Sequence, residues 1–215
     1  MLDVGAAFGV ASIPALESGA TVIANDMELR HLEILCERTP ERLRSHLILN
    51  AGRFPEDLSF AENSLDAIHA ANLLNFLRGD EILRGLVLIR RWLKPGGKVF
   101  TISGTPYAAN IRKFIPVYEK RKCRGVRWPG EAENVQQYSS HQTVSELPSF
   151  INLLDEDVLR DAFEATGFIV EKSEMFLRSG LPEYLYYDGR ENVGLIAAKP
   201  HRGLSGAHFR VRARG

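Results

Sequence analysis

The first ten residues hold the densest group of positions that could bind a ligand. In Leu2-Asp3-Val4-Gly5-Ala6-Ala7-Phe8-Gly9-Val10, residues 2–4 read as the end of a buried strand, 5–9 as a glycine-punctuated turn and 11–16 as the start of a helix. That order gathers backbone N–H groups and a helix N-terminus at one point, where a nucleotide can sit. Glycine is needed where the backbone turns sharply or approaches a ligand closely, because a side chain would block it. Alone, the same pattern also fits a tight strand-to-helix turn that holds nothing. Metal binding finds no support in the cysteines, since Cys36 and Cys123 stand in unrelated contexts and no Cys/His group has ligand spacing.

The elements that must position this turn follow in alternation. A helix over 10–18 tolerates Pro14 only near its first turn and ends at Gly19. Residues 20–24 read as a second strand running into Asn25-Asp26-Met27, and 28–38 as a helix closed by Pro40. A third strand over 47–49 and a fourth over 65–71 follow, the latter ending at Asn72-Leu73-Leu74. Residues 80–92 predict a helix capped by Asp80, with Ile82, Leu83, Leu86 and Ile89 on one face. Lys94-Pro95-Gly96-Gly97 stops that helix, and 99–103 is the fifth strand. Strand–helix alternation of this kind predicts a parallel α/β sheet with right-handed crossovers.

Residues 105–150 break the rhythm and are rich in aromatics and proline, with a helix expected over 107–118. The regular pattern resumes at Asp155, an N-cap for a helix reaching Gly167, followed by a sixth strand from Phe168 and a seventh over 192–198. One domain over 1–200, with 105–150 inserted and a basic tail over 201–215, is the expected organisation.

The chain has 215 residues, and 27 basic residues balance 27 acidic ones. No global electrostatic argument therefore favours nucleic acid or an anionic membrane as partner. No apolar run reaches the ~20 residues that span a bilayer, and no signal peptide precedes the first strand. A cytoplasmic protein with free thiols is the expectation. Only Met1 precedes the first strand, so an N-terminal segment is expected either to be missing from this sequence or to be dispensed with.

Taken in order, these features resemble the class I S-adenosylmethionine-dependent methyltransferases. Residues 2–9 are similar to the family's glycine-rich first motif, Asp26 to its acid after the second strand, and Leu65-Asp66-Ala67-Ile68 to its fourth-strand motif. Leu93-Lys94-Pro95-Gly96-Gly97 looks like the turn before its fifth strand. The resemblance implies a Rossmann-like, seven-stranded sheet, mostly parallel with the last strand antiparallel, and helices on both faces. It implies S-adenosylmethionine as cofactor and methyl transfer to a small or medium-sized acceptor by in-line displacement. A non-catalytic relative that keeps the fold for binding or scaffolding is the alternative. The sequence departs from the family at Ala7, where glycine is usual, and after the third strand, where Arg53 or Phe54 stands in place of an adenine-binding acid.

Carried over residue by residue, the resemblance implies that Asp3 lies near the cofactor's amino group and that Gly5, Ala6, Ala7 and Gly9 pass under its methionine part and ribose. Asp26 would accept the ribose hydroxyls. Asn25 and Met27 would pack on the adenine side, with Phe54 stacking on the base or Glu56 substituting for the missing acid. Asn72 should face the methyl-transfer centre beyond the strand ends. No general base can be read off, since methyl transfer needs one only if the acceptor must lose a proton. His141 and Tyr107, in the insertion, are weak candidates; His69 reads as a satisfied strand histidine. Tyr107, Phe114, Tyr118, Trp128, Tyr138 and Phe150 could wall an acceptor pocket or form a small extra core. Arg121, Lys122, Arg124 and Arg127 could recognise an acidic acceptor or form a solvated face. The scaffold alternative would keep its partner when Asp26 is removed.

Overall fold

A computed structural model of the chain describes residues 1–139 and 148–201. His141 and the basic tail from Arg202 onward lie outside the described residues. Strands β1 (Leu2–Val4), β2 (Val22–Asp26), β3 (Leu47–Ala51), β4 (Leu65–Ala71) and β5 (Leu93–Gly104) run parallel to one another. The short strands β6 (Glu131–Ala132) and β7 (Ile151–Asn152) form a separate antiparallel ribbon. Two further strands, β8 (Ile169–Phe176) and β9 (Asn192–Ala198), complete a seven-stranded sheet in the order β3-β2-β1-β4-β5-β9-β8. Within this sheet β9 is antiparallel to both of its neighbours, β5 and β8. This is the Rossmann-like, seven-stranded arrangement that the family resemblance implies. Among the described residues no helix is long and apolar enough to cross a membrane.

Helices α1 (Ser12–Glu17) and α2 (Leu29–Arg38) cover one face of β1–β3, burying Leu16, Leu32 and Leu35 against Val22 and Ala24. Pro14 is the third residue of α1, within the first turn where its missing N–H does no harm. On the opposite face, α3 (Gly79–Trp92) and α5 (Glu156–Ala165) bury Ile82, Leu86, Ile89, Leu159 and Phe163 over β1, β4, β5 and β9. Each such side chain contributes about 1.5–3 kcal/mol. Asp155 caps α5 by accepting the Val158 N–H at 3.0 Å, as expected. Asp80 does not cap α3, which begins earlier, at Gly79. The Glu81 carboxylate reaches back to the Arg78 N–H at 2.7 Å, and Asp80 pairs with Arg84 one turn on.

The 105–153 stretch departs from the helix expected over 107–118. Residues Ala109–Phe114 form a 3-10 turn with a kink at Ile111, and α4 (Ile115–Cys123) starts where Pro116 sets a new N-terminus. Phe114 and Tyr118 are fully buried, and with Tyr107, Ile111, Val135 and Ile151 they make a second, smaller core. Trp128 packs instead on the main core, against Gly79.

Candidate functional site

In a parallel sheet the strands' C-terminal ends share one edge, and a crevice opens where the strand order reverses. Here the reversal falls between β1 and β4. The loop after β1 and the loop after β4 meet there, and Leu73 lies 3.5 Å from where a Cβ on Gly5 would be. Gly5 has φ +72°, Ala7 +45° and Asn72 +56°, so three left-handed residues shape this edge. Glycine meets that demand freely and asparagine readily, whereas alanine pays a steric penalty of roughly 1–2 kcal/mol.

Asp26, at the end of β2, is 7% exposed and holds the loop in place. Its Oδ2 accepts the Ala7 N–H at 2.9 Å; its Oδ1 accepts the Glu28 N–H at 3.0 Å and lies 3.2 Å from His31 Nδ1. The Phe8 ring meets the His31 imidazole edge-on at 4.7 Å, and Arg38 donates to the Phe8 carbonyl. Met27 and Leu29, next to this carboxylate in sequence, and Phe8, packed on His31, are all exposed apolar side chains. A buried acid beside a left-handed loop, flanked by uncovered apolar groups, is a donor and acceptor set that fits a nucleoside: hydroxyls to the carboxylate, base to the apolar side chains.

The structure brings Gly5, Ala7, Asp26, Met27 and Asn72 to this edge. The side chains of the remaining sequence candidates make their contacts within the chain. Ala6 is buried in the α1–α2 core, and a Cβ on Gly9 would meet Leu35 at 2.1 Å, so these two fasten the loop to the helices. Asn25 does not offer its side chain to an adenine, because its amide donates to the carbonyls of Asn50 and Gly52 and ties β2 to the end of β3. Phe54 is turned inward. Its ring is 4% exposed, packs edge-on against Trp92 and touches Gly85 of α3, which leaves no face for stacking on a base. Glu56 turns toward Arg53 and Arg84 on the surface.

Asp3 is 2% exposed, with one oxygen accepting the Ser12 hydroxyl at 2.6 Å and the other 2.8 Å from His69 Nδ1. It anchors α1 and orients His69, so any contact with a ligand's amino group would be indirect. His69 is satisfied by this pairing, as expected, and also lines a cavity of about 220 Å³ with Phe100, Ile102 and Phe176. Two of the four sequence motifs sit at the far edge of the sheet. Lys94 pairs with Asp66 at 2.6 Å, and Gly96, at φ +79°, donates its N–H to the Lys199 carbonyl.

Beyond β5, the crevice is fastened by residues that sequence patterns did not mark. Asn75 donates to the carbonyls of Gly104 and Asn152 and accepts the Gly104 N–H, joining the ends of β4, β5 and β7. Glu191 Oε1 accepts the N–H groups of Tyr187, Asp188 and Gly189, which folds the loop between β8 and β9. Burial pushes that carboxyl up, but the backbone donors more than offset it and hold it below the usual range.

Tyr107 is held by contacts within the chain. Its hydroxyl is bonded to Glu119, the Arg190 guanidinium lies 3.7 Å from its ring centroid, and burial together with the Glu119 carboxylate pushes its phenol well above the usual value. The basic cluster is structural for the most part. Arg121 donates to the Pro129 and Glu131 carbonyls, Lys122 binds Asp155 and Asp157, and Arg127 lies over Trp128; Arg124 is exposed.

A family model described as a methyltransferase domain matches residues 1–97. The chain superposes on a methyltransferase from Methanosarcina mazei with a TM-score of 0.66 at 16% identity, covering 93% of this chain and 92% of that one. A second, from Mesorhizobium loti, gives 0.65 at 17% identity, covering 92% and 89%. Geranyl diphosphate C-methyltransferase from Streptomyces coelicolor, solved with S-adenosylhomocysteine, gives 0.64 at 14% identity, covering 92% and 72%. No curated protein sequence matches. The chain thus has the class I S-adenosylmethionine-dependent methyltransferase fold.

Proposed function

We propose that the protein transfers a methyl group from S-adenosylmethionine to a small or medium-sized acceptor. The observation that carries this reading is the Asp26 carboxylate, which stands at the switch-point edge and grips the loop after β1 through the Ala7 N–H. In this reading Asp26 holds the ribose hydroxyls, Met27 packs beside the base, the backbone of Gly5 to Ala7 runs under the methionine part, and Asn72 faces the transferred methyl. When bound, the cofactor supplies an electrophilic methyl on a cationic sulfur with an excellent leaving group. The chain's own task is then to align the acceptor opposite that sulfur and to exclude water. Its means are the small core around Phe114 and Tyr118 and the loop fastened by Glu191.

The acceptor atom decides whether a proton must be removed, and no side chain here is assigned as base. A purely scaffolding role is favoured by one observation, the satisfaction of Asp26 within the chain itself. Methyl-labelled S-adenosylmethionine tests the two readings. The enzyme reading expects label to move to members of a panel of amine, hydroxyl, thiol and carbon-acid compounds, and to stop moving in Asp26→Ala. No transfer to any class by the folded protein would sink it.

A further inference from the structure

We infer that His31 is a gate on the nucleoside site, a side chain that occupies Asp26 when no ribose does and must leave for the ribose to bind. The inference rests on the cofactor reading above. A carboxylate offers about four acceptor positions. Asp26 already uses three, for the Ala7 N–H, the Glu28 N–H and His31 Nδ1. A ribose diol needs two. One present partner must therefore be displaced.

The three partners are not equally able to move. The Ala7 and Glu28 donors are backbone groups, fixed by the loop and by the start of α2. The Ala6 N–H bonded to the Asn25 carbonyl at 2.8 Å holds the loop in register beside them. His31 is a side chain, 36% exposed, in the first turn of α2, and a rotation about its χ angles would carry it into water. Its second contact, the edge of the Phe8 ring, is on the exposed tip of the same loop. His31 therefore lies against the carboxylate and the exposed Phe8 ring against His31, an arrangement in which the two side chains can open together.

The chemistry of the displaced group gives the gate a pH dependence. Neutral imidazole donates one ordinary hydrogen bond to Asp26, whereas imidazolium forms a charge-assisted one of roughly twice the strength. The groups facing His31 are Asp26 from β2 and the uncharged Phe8 ring from the β1–α1 loop. On its own helix, Arg38 is held by the Phe8 carbonyl, Arg30 by Glu33 and Glu37, and Glu28 presents its backbone. Among the described residues the acid shown in direct contact is Asp26, and protonation closes the gate.

Calorimetric titration with S-adenosylhomocysteine at about pH 8 and about pH 5.5 tests this on the wild type, His31→Gln and His31→Ala. The wild type is expected to lose about tenfold in affinity on acidification. Both variants should bind at least as tightly as the wild type at the lower pH, with little change between the two. Thermal unfolding of each variant confirms that it is folded. Equal pH dependence in all three proteins, or weaker binding by the variants at acid pH, would overturn the gate while leaving the cofactor reading intact. No binding by any of them at the higher pH would instead overturn the cofactor reading, and the gate with it.

Discussion

Asp26 and Ala7 are joined by a 2.9 Å hydrogen bond from the loop amide to the strand-end carboxylate, nineteen residues away in sequence. Ala7 is also the one non-glycine residue of the β1 loop with positive φ, at +45°. The bond holds an L-residue in a conformation that it avoids. Ala7→Gly should remove that strain, partly offset by glycine's greater freedom in the unfolded chain. The expected net gain is about 0.5–1 kcal/mol, with affinity for S-adenosylhomocysteine unchanged or improved. Urea denaturation measures the first and calorimetry the second; a loss of stability would mean that the methyl group makes contacts worth more than the strain.

Glu191 folds the loop between β8 and β9 around one carboxylate oxygen. Its carboxyl is held below the ordinary range, so the unfolded chain binds this proton more readily than the folded one. The stability it contributes is present above about pH 4.3, where unfolded glutamates titrate, and is lost as pH falls through the folded value. Hydrogen exchange should accordingly show residues 177–191 opening in acid ahead of the main sheet. Glu191→Gln should cost roughly 1–3 kcal/mol at neutral pH and flatten that acid response. An unaltered acid response in the variant would contradict the assignment.

Tyr107 serves packing rather than proton transfer. With burial and Glu119 both raising its phenol, it stays neutral below about pH 10. Removing the hydroxyl in Tyr107→Phe should lower stability by about 1 kcal/mol, through the bond lost to Glu119, and leave the pH profile of methyl transfer as it was. Loss of one limb of that profile, at unchanged stability, would restore Tyr107 as a base.

The fold was legible from the sequence because its signals are local. The glycine turn, the apolar runs and the Lys94-Pro95-Gly96-Gly97 turn each specify one backbone event, and their order carries the family resemblance that implies the sheet. Strand β9 matches its expected span, 192–198, to the residue. The site was less legible. Asp26 and the loop could be found from spacing, but the aim of a side chain depends on tertiary neighbours. Phe54 stands in the right place in sequence and points into the core because Gly85, without a side chain, leaves room for its ring. Asn25 is likewise diverted by the carbonyls of Asn50 and Gly52. His31 and Asn75 carry no motif at all, and only the folded chain brings them to Asp26 and to the ends of β4 and β5. Pro116 was a local signal that should have moved the start of α4, since proline is a poor interior residue and a good first-turn one.

The account stands on Asp26 as the group that holds the adenosyl ribose. Titrating S-adenosylhomocysteine into the wild type and into Asp26→Ala tests this most directly. A single site per chain is predicted in the wild type, weakened by roughly 30-fold or more in the variant, the loss expected when a buried charged acceptor is removed. Equal binding by the two folded proteins, or no binding by the wild type, would contradict it.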